Sequence, residues 1–129
     1  MYSATLMDHF RNPRNVGELA DPDLTGTAGT PGHGNFMVLH LRLTAGRITE
    51  ARFRCHGCGP TIAAGSALTT LIIGHTPEEC AAIDDQMLTE ALDGLPPAKA
   101  HCPGLAIAAL RDALGGLDGA PSNPCEPQV

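Results

Sequence analysis

Aromatic and basic side chains are scarce in this chain. Of its 129 residues, three are phenylalanine, one is tyrosine and none is tryptophan. Single-stranded nucleic acid stacks on such side chains, so their scarcity removes the usual platform for it. The 14 acidic residues outnumber the 8 lysines and arginines, which gives a formal charge of −6. An acidic surface repels phosphate, and we therefore do not expect nucleic acid as a partner.

Long hydrophobic runs are also missing. No stretch approaches the roughly 20 apolar residues that a membrane-spanning helix needs, and the N-terminus lacks the basic and apolar pattern of a signal peptide. We therefore expect a cytoplasmic protein without a membrane partner. The length and the 43% content of hydrophobic residues predict one domain with a modest core.

Five cysteines are present, an odd number without a paired repeat, which favours reduced thiols over a disulfide framework. Cys80 lies in an apolar segment and Cys125 near the C-terminus, so we expect a core residue and a free thiol. Cys55 and Cys58 form a C-x-x-C pattern. A redox pair of this kind usually follows a parallel strand, whereas Cys55 ends a hairpin strand and alternates inward with Phe53.

Hydrophobic periodicity predicts most of the elements. We expect an N-terminal helix from Met1 to Phe10 with Leu6 and Phe10 on one face, then a long loop over residues 17–35. A hairpin follows, with inward residues in both strands and a turn at residues 44–46. The remaining predictions are a helix from Cys58 to Gly74, a capped helix start at Thr76–Glu79, a short helix ending near Gly94, an extended Pro96–Pro97 segment and a helix over residues 103–114.

Three loops of small residues each present a soft metal ligand. They contain His33 between two glycines, Cys58 between two glycines, and the adjacent pair His101 and Cys102. Each cysteine alone is best read as a small buried hydrophobe. Together with the histidines and the glycines, the three loops predict one metal or iron–sulfur site. Because both cysteines precede a predicted helix, we expect their pKa values to fall to roughly 3.5–7.5.

Three runs then resemble one family. Residues 8–17 (DHFRNPRNVG) resemble the D-H-Y-x-N-P-R-N-V-G run of the IscU/NifU-type iron–sulfur cluster assembly scaffolds. Residues 51–59 (ARFRCHGCG) are similar to that family's A-R-F-K-x-x-G-C-G, and residues 95–102 (LPPAKAHC) to its L-P-P-V-K-I-H-C. The three runs occur in the family's order, and the combination is highly specific.

The resemblance implies an α+β fold of the IscU/SufE-like kind, with a three-stranded antiparallel sheet and helices packed on one face. The third strand is expected between Leu24 and Thr30. The scaffold domain would cover residues 1–117, and residues 118–129 would form a disordered tail. Implied partners are a cysteine desulfurase, apo iron–sulfur proteins and an Hsp70-type chaperone. The chaperone would bind Leu95, Pro96, Pro97 and Lys99, and between Leu95 and Lys99 the one departure from the family run is Ala98.

The first ligand loop departs from the family pattern. The family reads A-C-G-D where this chain has His33 in place of the cysteine and Asn35 in place of the aspartate. Position by position, the implied metal ligands are His33, Cys58, His101 and Cys102, with Asn35 beside them. Two histidines and two cysteines suit zinc or a [2Fe–2S] cluster. Loss of the thiolate and the carboxylate should raise the reduction potential and slow the release of the cluster.

We therefore expect a scaffold or carrier of a [2Fe–2S] cluster rather than an enzyme. The cluster-free form is expected to bind zinc at the same site. Cys102 is the expected sulfur acceptor, as a persulfide. Neighbouring residues in an extended chain point apart, so His101 can share an ion with Cys102 only if the backbone bends; otherwise it orients or deprotonates the thiol. The alternatives are a zinc-binding sulfur acceptor that activates a desulfurase, and a degenerate interaction module.

Overall fold

The computed structural model describes residues 2–30 and 34–115. His33 and the predicted tail, residues 118–129, therefore lie outside the described residues. The elements, in chain order, are α1 (Ala4–Arg11), β1 (Leu24–Gly29), β2 (Phe36–Thr44), β3 (Arg47–His56), α2 (Gly59–Ile72), α3 (Pro77–Cys80), α4 (Asp85–Ala91), a 3-10 helix (Pro97–Lys99) and α5 (Cys102–Gly115). None of these helices is long and apolar enough to cross a membrane.

The three strands form one antiparallel sheet in the order β1-β2-β3. Helices α2 and α5 pack on one of its faces, so the predicted α+β architecture is confirmed. The alternation in the hairpin is also as predicted, since Met37, Leu39 and Leu41 are fully buried. The bulge between Arg42 and Leu43 shifts the register near the hairpin turn.

Strand β1 lies inside the stretch that periodicity alone predicts to be loop. Its inward positions are Leu24, Gly26 and Ala28, and two of these three side chains are too small to produce a hydrophobic signal. The small residues are required because α5 lies directly on the strand: a Cβ atom at Gly26 would be 1.9 Å from the carbonyl oxygen of Ala109. The family resemblance therefore predicts this third strand, whereas hydrophobic periodicity does not.

The segment that follows α1 attaches the N-terminus to the sheet and to α2. The N–H of Gly17 donates to the carbonyl of Phe53, and the N–H of Phe53 donates to that of Asn15. The Oγ atom of Ser66, in the middle of α2, accepts from the N–H of Arg14 at 2.9 Å and contacts Nδ1 of His9 at 2.7 Å. These contacts hold α1 against α2, in agreement with the packing of the two helices.

Two local predictions are corrected. The first helix begins at Ala4, three residues later than predicted, because Ser3 is its N-cap and the Oγ atom of Ser3 accepts from the N–H of Leu6. Leu6 is buried, and Phe10 on the same face is 40% exposed. The Pro96–Pro97 segment is extended only at Pro96, and Pro97 opens the 3-10 helix. Proline fits the first turn of a helix because its missing N–H would have no partner there. The capping box of Thr76 and Glu79 is confirmed.

Candidate functional site

Two cysteine thiols from distant parts of the sequence meet at the N-termini of two helices. Cys58 is the N-cap residue of α2, and Cys102 is the first residue of α5. Their Sγ atoms are 3.7 Å apart, although 44 residues separate them in the chain. The packing of α2 on β3 and of α5 on β1 and β2 brings the two helix ends together.

Thr61 is a third member of the site that sequence reasoning missed. Its Oγ1 atom is 3.3 Å from Cys58 Sγ, and its backbone N–H donates to the Cys58 carbonyl at 3.0 Å. The side chain is only 1% exposed, so its hydroxyl is directed at the thiol and not at solvent. The available signal was its place three residues after the N-cap, where a helix residue turns back toward the cap.

The local environment shifts the pKa values of the two thiols in opposite directions. Burial raises the pKa of Cys58, but hydrogen bonds from the side chain and backbone of Thr61 and from Cys102, together with the charge of Lys99, outweigh it and lower the pKa below its usual value. Burial raises the pKa of Cys102, and its hydrogen bond to Cys58 raises it further. The predicted lowering is thus right for Cys58 and wrong for Cys102, which is 2% exposed.

His101 lies next to the thiol pair on the exposed side. Its Nε2 atom is 3.9 Å from Cys102 Sγ, a weak contact. The carbonyl of His101 accepts from the N–H of Gly104 at 3.1 Å, so the chain already turns at this residue. The backbone bend that a shared ion would require between His101 and Cys102 is therefore present.

A cleft of about 420 Å³ opens beside Cys102, between the end of β1 and the start of α5. It is lined by Ala28, Gly29, Asn35, Thr61, His101, Cys102, Gly104, Leu105 and Ala108. The structure thus brings Asn35 to the same cleft as His101 and Cys102. Across residues 2–30 and 34–115, no three His, Cys, Asp or Glu side chains converge closely enough to hold a metal ion. The thiol pair is therefore the preformed part of the site.

The other described cysteines have environments that disfavour the thiolate. Burial raises the pKa of Cys55 to about 11, with a further contribution from the nearby Cys58. Burial also raises the pKa of Cys80 to about 11, and this side chain is 1% exposed. Cys80 is a core residue as predicted. Cys55 is half-buried on the inward face of β3, which agrees with a packing role and does not fit an activated redox pair.

A family model described as the NifU-like N-terminal domain matches residues 1–121. The chain belongs to this family. The iron–sulfur cluster assembly scaffold protein IscU 1 of Archaeoglobus fulgidus is 43% identical over 114 residues, which are 88% of this chain and 74% of that protein. The IscU scaffold protein of Azotobacter vinelandii is 42% identical over 117 residues, covering 88% of this chain and 91% of the relative.

The fold agrees with this membership. The crystal structure of the N-terminal part of a nitrogen-fixing NifU-like protein from Brucella abortus superimposes with a TM-score of 0.72 and 20% sequence identity. The match covers 91% of this chain and 94% of that one. The NifU-like family predicted from residues 8–17, 51–59 and 95–102 is confirmed by the family match over residues 1–121.

Proposed function

We propose that this NifU-like domain is an iron–sulfur cluster assembly scaffold or carrier that holds a [2Fe–2S] cluster and passes it to apo-proteins. Its relatives are named as assembly scaffolds, which confirms the prediction of a scaffold over an enzyme. The cluster is cargo in this proposal, not a resident cofactor. The observation that carries the proposal is the 3.7 Å separation of the Cys58 and Cys102 sulfur atoms.

That separation matches two thiolates on one tetrahedral metal ion. At a metal–sulfur distance of about 2.3 Å, tetrahedral geometry places two thiolate sulfurs about 3.8 Å apart. The pair can therefore bind one iron of the cluster without a large movement of either helix. Both thiols stand at helix N-termini, where backbone N–H groups and the helix dipole stabilise negative charge.

The remaining ligands are proposed from the resemblance to the family's ligand motifs and from proximity. His101 lies beside Cys102, and its side chain is exposed enough to rotate toward the ion. His33 is assigned by its position in the ligand loop alone. With two neutral imidazoles, the bound cluster carries less negative charge than one held by thiolates, and we expect a higher reduction potential.

Anaerobic reconstitution with iron and sulfide tests the proposal. We expect about two irons and two sulfides per bound cluster. Cys58→Ser and Cys102→Ser should each lower the bound iron at least several-fold. Cys55→Ser, which alters a neighbouring half-buried thiol outside the pair, is the matched control and should retain the cluster. Equal iron binding by all three variants would refute the assignment of the pair.

The same sulfur separation favours zinc equally well, so a zinc-binding activator of a cysteine desulfurase is the second candidate. Four ligands of the type Cys₂His₂ make a standard structural zinc site. The two functions are separated by adding iron and sulfide to the zinc-loaded protein under reducing conditions. Displacement of zinc by a cluster supports the scaffold, whereas stoichiometric zinc that resists displacement supports the activator.

Sulfur acceptance is proposed for the thiol pair. The sequence assigns it to Cys102, but the structure gives a reason to place first contact at Cys58, because Cys102 is 2% exposed and Cys58 is half-buried. A Cys58 thiolate would attack the outer sulfur of the desulfurase persulfide, form a new S–S bond and release the donor's cysteine thiolate. Mass spectrometry of Cys58→Ser and Cys102→Ser after reaction with a desulfurase and cysteine would locate the acceptor.

Binding of an Hsp70-type chaperone is proposed for Leu95, Pro96, Pro97 and Lys99. Pro97 is exposed, and the other three are half-buried around the 3-10 helix. Because this helix leads directly to His101 and Cys102, a chaperone that extends the segment would also move two proposed ligands. We expect Pro97→Gly to weaken chaperone binding in a titration, while the distant exposed substitution Met87→Ser should not.

A further inference from the structure

We propose that Cys58 and Cys102 act as an internal two-electron donor that converts a persulfide into free sulfide. A desulfurase delivers sulfur in the persulfide oxidation state, whereas a cluster contains sulfide, so two electrons must be supplied per sulfur atom. The inference rests on the proposed function for its source of sulfur. Its structural basis is the approach of the two Sγ atoms to 3.7 Å.

The reaction balances without an external oxidant or metal. With a persulfide on Cys58, the thiol of Cys102 gives up its proton to solvent, and its sulfur attacks the inner sulfur, which is Cys58 Sγ. An Sγ–Sγ bond forms, the bond to the outer sulfur breaks, and its electron pair leaves with that sulfur as hydrosulfide, which keeps the persulfide proton. The outer sulfur gains two electrons, and the two cysteine sulfurs together lose two. A dithiol reductant then restores both thiols by thiol–disulfide exchange.

The distances suit this step. Reacting atoms in near-attack arrangements are about 3–3.5 Å apart, and the two sulfurs are already within a few tenths of an ångström of that range. Closure to a disulfide of about 2.05 Å needs a further approach of roughly 1.7 Å, which is on the scale of side-chain rotation at Cys58. This N-cap residue has an extended backbone outside the helix.

The burial of the two residues favours attack on the inner sulfur over the outer one. Cys102 is 2% exposed, whereas Cys58 is half-buried and receives sulfur from the open side. The outer sulfur of a Cys58 persulfide therefore extends away from Cys102. A displacement at sulfur proceeds in line, so an attacker on the inner side expels the outer sulfur outward as hydrosulfide. Attack on the outer sulfur would instead move the persulfide to Cys102 and release nothing.

The experiment uses the reduced full chain, free of metal, and inorganic polysulfide as the sulfur donor. Excess donor is removed by desalting under argon, and no reductant is added. We expect sulfide to be released and a Cys58–Cys102 disulfide to form in equal amounts, measured by a colorimetric sulfide assay and by peptide mass spectrometry. Cys102→Ser should keep the persulfide on Cys58 and lower sulfide release at least tenfold, and Cys55→Ser should behave as the unmodified chain does.

The unmodified chain alone can overturn the inference, so the result does not depend on the folding of a variant. A persulfide that persists on Cys58, or that moves to Cys102 without release of sulfide, would exclude the reaction. Sulfide release without the Cys58–Cys102 disulfide would do the same. Reconstitution with free iron and sulfide bypasses this step. Cluster binding without persulfide cleavage would leave the scaffold function intact and remove only this inference. Persulfide cleavage without cluster binding would remove the scaffold function.

Discussion

The ring of Phe53 occupies the space that a side chain at Gly65 would need. A Cβ atom at Gly65 would lie 2.5 Å from Cε2 of Phe53, and Phe53 is 1% exposed. Helix α2 therefore rests on β3 at a distance that glycine alone permits. Since β3 ends at His56 and α2 begins at Gly59, this contact also fixes where Cys58 lies between them.

We predict that Gly65→Ala destabilises the fold by about 1–2 kcal/mol. Overpacking of a core typically costs about 1–3 kcal/mol, and the better helix propensity of alanine returns up to about 1 kcal/mol. Urea unfolding measures the difference. The control is Gly104→Ala in α5, where the new Cβ would lie 3.5 Å from Asp85 Oδ2, an ordinary contact. Equal stability of Gly65→Ala and the unmodified chain would show that α2 can shift away from β3.

The close contacts between helices and sheet explain which parts of the fold the sequence reveals. The hairpin was predictable because Met37, Leu39 and Leu41 alternate as large apolar residues. Strand β1 was not predictable from periodicity, because Gly26 must be small beneath α5. The helical pattern placed Leu6 and Phe10 on one face, but it gives no information on how much of that face a neighbouring helix covers, and Phe10 stays 40% exposed.

We predict that Cys58 is alkylated faster than any other described cysteine at neutral pH in the metal-free chain. The thiolate is the reactive form, and the pKa of Cys58 is lowered while those of Cys55, Cys80 and Cys102 are raised. A time course with iodoacetamide, read by peptide mass spectrometry, measures each rate. Cys55 is the matched control because it is also half-buried. Similar rates at Cys55 and Cys58 would contradict the lowered pKa.

We predict that protonation of His9 destabilises the fold. Burial lowers the pKa of His9, and the charge of Arg14 lowers it further against the effect of Asp8. The folded state thus prefers neutral His9, so its contribution is present above the unfolded value of about 6.5 and is lost as the pH falls through that value toward the folded pKa. Urea unfolding from pH 7.5 to 5 should show a smaller loss of stability for His9→Gln than for the unmodified chain. Parallel pH profiles would exclude this role.

The residues that meet at the candidate site could be predicted from the sequence, but the electrostatics of the site could not. Cys58, His101 and Cys102 stand out because soft ligands flanked by small residues are unusual in packed elements. The opposite pKa shifts of the two thiols depend on Thr61 and on the burial of Cys102, which are set by the meeting of two helices from distant parts of the chain. The placement of both cysteines at helix N-termini predicted a lowered pKa for Cys58 and for Cys102.

The last prediction concerns the departure from the family loop. The double substitution His33→Cys with Asn35→Asp restores a thiolate and a carboxylate, and Asn35 lines the cleft beside His101 and Cys102. Added negative charge stabilises the oxidised cluster, so we expect a lower reduction potential. The carboxylate also offers iron an alternative oxygen ligand, and transfer of the cluster to an apo-ferredoxin should become faster. Redox titration and transfer kinetics on the reconstituted proteins measure both effects.

Ala45→Asp, in the turn at the opposite end of the β2–β3 hairpin, controls for a change in net charge and should alter neither the reduction potential nor the transfer rate. If the rebuilt loop gives the same potential and the same rate as the unmodified chain, residues 33 and 35 do not contact the cluster, and its ligands must be sought among Cys55, Cys58, His101 and Cys102.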